Sequence, residues 1–191
     1  TGSSFTDLQI LSNGLDGIAA GNNNLASFII AGNNGFDGID FGESAVLHYC
    51  TAANNLNDGI EADAGSSLLH CTARDNSQHG FRTTGPTTIS LCNATENNNH
   101  GFSCGAGSTV SQNAASNNTL DGFYLFSATM ASGNVAKSNG NHGFEWLNDW
   151  VLQSNTSSLN GYSGFSTTYA GGKVDDNTSS ANAHHGFNIQ V

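Results

Sequence analysis

The amino-acid sequence predicts an all-β solenoid: about nine parallel coils of 21 residues, formed by residues 1–191 as one domain. Three observations predict it. Six-residue strings of the type NGLDGI recur from Asn13 to Phe187, and their glycines are spaced 21 residues seven times and 22 once. Apolar residues alternate with polar ones after each of these glycines, the pattern of a strand with one buried face. The chain holds 26 Asn and 24 Gly and shows no helical apolar period, and both residues are poor in helix interiors. A coil this short cannot bury its apolar side chains alone, so it stacks on its neighbours.

Each element of the coil follows from a column in the 21-residue register. After the repeat glycine comes an inward apolar position: Ile18, Ile39, Ile60, Phe81, Phe102, Phe123, Phe144, Phe165 and Phe187. We call the strand it opens the post-glycine strand. Its next position faces out and is mostly polar, running through Asp40, Glu61, Arg82, Ser103, Tyr124 and Glu145. A second apolar column runs from Phe5 through Leu47, Leu68 and Ile89 to Val174. A third begins Leu8, Ile29, Cys50, Cys71, Cys92 and continues as Asn113, Asn134, Asn155, Asn177. A small-residue column of Ala31, Ala52, Ala73, Ala94, Ala115 and Ala136 runs beside it.

Asn13, Asn34, Asn55, Asn76, Asn97, Asn118, Asn139, Asn160 and Asn182 share one corner column. Stacked amides donate to one neighbour and accept from the other, so this column reads as a structural ladder. Asn also tolerates left-handed backbone, and the adjacent Gly column suits positive φ or close chain approach.

These strings resemble the right-handed parallel β-helix repeat of the pectate-lyase-like superfamily, over essentially the whole chain. The resemblance implies the hand of the helix. It implies no single activity, because that fold carries lyases, hydrolases, epimerases, adhesins and phage fibres. In enzymes of the superfamily the substrate lies along the outer face of the first sheet, which matches the post-glycine column here.

The sequence favours no catalytic centre and no metal. The alternative is a polysaccharide lyase, epimerase or hydrolase. In it Arg82 acts as a base beside Asp40 and Glu61, and Asp40, Glu61 and Asp63 offer oxygen ligands to Ca²⁺. An acidic sugar would need that calcium to approach so acidic a protein. The column before the repeat glycine is Asp16, Asp37, Asp58, His79, His100, Asp121, His142, Ser163, His185. It reads as structural, since Asp and His bond nearby amides at turns; a zinc pair at His79 and His100 lacks the usual ligand spacing. Glu145 and Asp149 beside Trp146 and Trp150 form a second carboxylate pair of glycosidase type. Tyr124, Phe126, Trp150 and Tyr169 are expected as a carbohydrate or protein contact surface. Cys50, Cys71 and Cys92 sit on adjacent coils, as free thiols or with one disulfide. Asn93 and Asn117, each opening an Asn-X-Thr sequon, are the expected glycosylation sites.

A net charge of −11 with four Lys plus Arg excludes nucleic acid as a partner, because phosphate contacts need clustered cations. No apolar run is long enough to span a membrane. The even repeat leaves few residues for loops, and the chain starts and stops at one phase of the coil without caps. The expectation is therefore a non-catalytic, extracellular or cell-surface structural β-helix. It is either a fibre subunit, copies stacking head to tail through their coil ends, or the shaft of an adhesin. Polysaccharide is the other expected partner.

Overall fold

The computed structural model describes residues 2–167, 169 and 171–190. Three short strands per coil build three nine-stranded parallel sheets, with no helix among the described residues. In the first coil the strands are Ser4–Thr6, Gln9–Leu11 and Ile18–Ala20. The last of these opens the post-glycine sheet, which ends at Phe187–Ile189. Register is one coil throughout, as in Leu47↔Leu68↔Ile89 and Phe102↔Phe123↔Phe144. The predicted solenoid and its coil length are therefore observed.

The core is built by like stacking on like. Phe81, Phe102, Phe123, Phe144, Phe165 and Phe187 form one continuous stack, with ring centroids 4.6–4.9 Å apart and planes within 7°. Phe187 at the end of the stack is exposed; burial of each of the other five rings contributes about 1.5–3 kcal/mol, beyond which offset aromatic pairs add a little. Cys50, Cys71, Cys92 and Cys104 are buried free thiols, the packing alternative of the two expected.

The Asn ladder is present. Asn97 Nδ2 donates to Asn118 Oδ1 at 3.0 Å and to Ala73 O at 3.2 Å, and its Oδ1 accepts from Asn76 N and Nδ2. The bonds repeat from Asn13 to Asn182. One expectation is corrected. The ladder residues do not take left-handed backbone; the residue before each does, as at Asn33, Asn54, Asp75, Glu96 and Asn117 (φ 56–58°). That frees the ladder amides to point inward, where each Oδ1 accepts from the preceding coil's amide nitrogens and each Nδ2 donates to the next coil's Oδ1. The repeat glycines are needed for close approach. A Cβ on Gly101 would lie 2.7 Å from Gly122 O and 2.8 Å from Asn118 Nδ2.

Candidate functional site

The column before the repeat glycine caps the next coil's backbone. Asp16, Asp37, Asp58 and Asp121 each accept, through Oδ1, the amide N–H of the same position one coil on, at 2.7–2.9 Å. His142 Nδ1 accepts Ser163 N–H at 3.3 Å. His100 Nδ1 meets both Asp121 N at 3.2 Å and Asp121 Oδ2 at 3.0 Å. Unprotonated it accepts the amide; protonated it donates to the carboxylate. The expected structural role is thus real, but the bond runs between coils rather than within one turn.

The same geometry aims what is left of each side chain at the outward column of the following coil, 24 residues on. Asp58 and Arg82 are 3.9 Å apart. His100 stacks on Tyr124 with centroids 4.8 Å apart. The carboxyl oxygens of Asp121 and Glu145 and a ring nitrogen of His142 all lie within 4.8 Å of one another. Asp37, Asp58 and Glu61 form a second such group. Ionisable groups that look scattered in the sequence therefore line one strip along the axis.

The Asp121–Glu145 group has the chemistry of a proton donor. Burial, then the charge of Asp121, pushes the Glu145 carboxyl up to about 7, so near neutrality a large fraction of it is still protonated. Asp121 is 1% exposed and accepts the His142 N–H, which holds its carboxyl group in place. Burial also lowers His142. Because its Nδ1 accepts an amide, the neutral ring carries its proton on Nε2 and has no lone pair there for a metal. This tautomer argues against a metal at the trio despite its spacing. Tyr124 stands between, half-buried, its phenol raised by burial and by Glu145. Phe126 meets Tyr124 edge-on at 5.2 Å.

In the other group, burial pushes Asp37 up to about 7. Arg82 Nη1 bonds Glu61 Oε1 at 2.5 Å as an ion pair between adjacent coils. Glu61 thus faces Asp37, Asp58 and Arg82, whereas Asp40 and Asp63 line a separate open hollow of about 470 Å³ with Asn22. The calcium set expected at Asp40, Glu61 and Asp63 is not gathered as one ligand group among the described residues.

Other expectations fare unequally. Tyr169 and Phe126 are exposed. Trp150 is not a surface contact: it is 6% exposed and packs on Trp146 at 4.8 Å. It shares the parity of inward Leu152, and its register partner Gly172 leaves room for the indole. Asp149, expected as the partner of Glu145, is exposed at a left-handed corner; the carboxyl beside Glu145 is Asp121. His79 and His100 stack at 5.3 Å. Asn93 and Asn117 are exposed, as glycan acceptors must be.

No protein-family profile and no curated protein matches the sequence. Solved structures do match in fold. The Dettilon tailspike protein (gp208) has 12% identity and a TM-score of 0.67, covering 99% of this chain and 54% of that one. The A-module of mannuronan C-5 epimerase AlgE6 from Azotobacter vinelandii has 15% identity and a TM-score of 0.63, covering 98% and 58%. Pectate lyase Pel9A has 12% identity and a TM-score of 0.58, covering 98% and 68%. The chain thus spans little more than half the length of the first two. The shared fold is the right-handed parallel β-helix.

Proposed function

We propose that this β-helix processes a polysaccharide lying along the outer face of the post-glycine sheet, with Glu145 as the proton donor that cleaves a glycosidic bond. The observation that carries the reading is the pairing of buried Asp121 with half-buried Glu145, flanked by His100 and His142. Protonation of the leaving oxygen is the step every such cleavage shares, and a carboxyl that keeps its proton near pH 7 serves it. Asp121 is a positioning residue: buried, it holds the proton on Glu145. Tyr124 and Phe126 supply an aromatic contact. Two of the similar structures are named for chemistry on polysaccharides, and a polysaccharide partner implies an extracellular or cell-surface setting.

The even coil length that predicts a structural rod is compatible with this site, which is built on strand faces and needs no long loops. The test is reducing-end release from a panel of polysaccharides by wild type and by Glu145→Gln and Asp121→Asn. The proposal expects a loss of about 10²-fold or more for the first and, for the second, an acid-shifted pH profile. No release from any polymer, with filaments in electron micrographs, would favour the fibre reading instead.

A further inference from the structure

Beside Tyr124 the strip opens into a hollow of about 340 Å³, lined by Arg82, Thr83, Thr84, Ser103, Gly105 and Phe126. Its floor exists because Ser103 is the small member of an outward column whose neighbours are Arg82 and Tyr124. Its wall is the exposed ring of Phe126. One coil separates Ser103 from Tyr124, and one more separates Tyr124 from Glu145, so a chain along the axis would fill the hollow while presenting a bond to Glu145.

We propose that this hollow is a sugar subsite for an uncharged glycan, and that the polysaccharide is a neutral one rather than a polyuronate. The inference rests on the acid–base reading of Glu145 and deepens it. The charge around the hollow decides the class. Arg82 is its one cation, and Glu61 at 2.5 Å with Asp58 at 3.9 Å already balances it. Along the strip lie Asp37, Asp40, Asp121 and Glu145, on a protein of net charge −11. A carboxylated sugar would enter an acidic groove with no unpaired cation among the described residues that line it. A neutral sugar meets no such opposition: its hydroxyls bond the free N–H groups of Arg82 and the Ser103 and Thr84 hydroxyls, and its apolar face lies on Phe126. A neutral sugar has no carboxyl-activated ring proton, so cleavage is hydrolysis. The glycosidic C–O bond breaks, Glu145 gives its proton to the leaving oxygen, water adds its oxygen to the sugar carbon, and the water's remaining proton returns to the Asp121–Glu145 pair.

The test is calorimetric titration of the full chain with hexamers of β-linked glucose, mannose, galactose and xylose, and with oligogalacturonate and oligomannuronate, each with and without Ca²⁺. Glu145→Gln is used so that turnover does not interfere. A neutral hexamer is expected to bind at least about tenfold more tightly than either uronate. Ser103→Phe, which fills the hollow, and Phe126→Ala, which removes its wall, are each expected to weaken that binding at least about tenfold, with circular dichroism confirming the coil. Preferred uronate binding, with or without Ca²⁺, would overturn the neutral-sugar inference while leaving the role of Glu145 intact. Neutral binding untouched by both variants would overturn the subsite. Binding to no glycan would overturn this inference together with the function it rests on.

Discussion

Replacing Asn97 by Ala tests how the corner is held. Asn97 is fully buried. Its Oδ1 accepts from Asn76 N at 3.2 Å and from Asn76 Nδ2 at 3.0 Å, and its Nδ2 donates to Asn118 Oδ1 and Ala73 O. Alanine removes all four bonds and strands two buried donors on Asn76. Each buried unsatisfied donor costs about 1–3 kcal/mol, so the variant should lose about 2–6 kcal/mol, a large share of the roughly 5–15 kcal/mol of a typical domain. Asn13→Ala, at the exposed end of the ladder, removes a side chain that only donates, and should lose less than about 1 kcal/mol. The assay is urea unfolding followed by far-UV circular dichroism and separately by Trp fluorescence, because both Trp residues lie near Glu145 and report a different part of the rod. If coils unfold as neighbours rather than all at once, the two probes separate in Asn97→Ala first. A midpoint within about 0.5 kcal/mol of wild type at unchanged slope would refute the claim that inter-coil amide bonds hold this corner.

Gly101→Ala should fail to fold or lose several kcal/mol, since its Cβ meets backbone and ladder amide below 3 Å; soluble variant of native thermal midpoint would contradict this. Thiol titration should label none of the four cysteines in the native protein and all four in denaturant, because each is buried and burial pushes Cys104 up to about 12. Stability should depend on pH through Glu145. Its carboxyl titrates at about 7 folded against 4.5 unfolded, so the fold binds that proton more tightly and loses stability as pH rises from about 4.5 to 7, with no further loss above. Asp37 adds the same sign, and His79, lowered to about 4, opposes it between 4 and 6.5. Comparing wild type with Glu145→Gln cancels those two. The variant should be more stable at pH 8 by about 1–2 kcal/mol, an upper value of about 3 discounted for solvent access, and equal at pH 4.

The fold was legible because one period governs every column: once the glycines are aligned, Phe102 must face in and Ser103 out. The Asn ladder was legible for the same reason, since amide stacking needs only register. The left-handed corners were misplaced by one residue, because Asn is common both before and in the ladder, as at Asn33 and Asn34, and composition does not separate them. Residue type alone puts Trp150 on the surface, whereas its even spacing from Leu152 places it inside. The Asp121–Glu145 pair was hidden because its members lie one coil and three residues apart, in two columns read separately. The stacked His100 and Tyr124 and the paired Asp58 and Arg82 share that offset, which was present in the sequence as a usable signal.

Glycan cleavage through Glu145 on the outer face of the post-glycine sheet is the proposed activity. The most direct measurement is the pH–rate profile of reducing-end release from a neutral polysaccharide, wild type against Glu145→Gln. The wild-type rate is expected to fall as pH rises through about 7, where Glu145 loses its proton, and the variant's to be lower by about 10²-fold or more with that limb gone. A variant as active as wild type, with the same profile, would contradict the proposed activity.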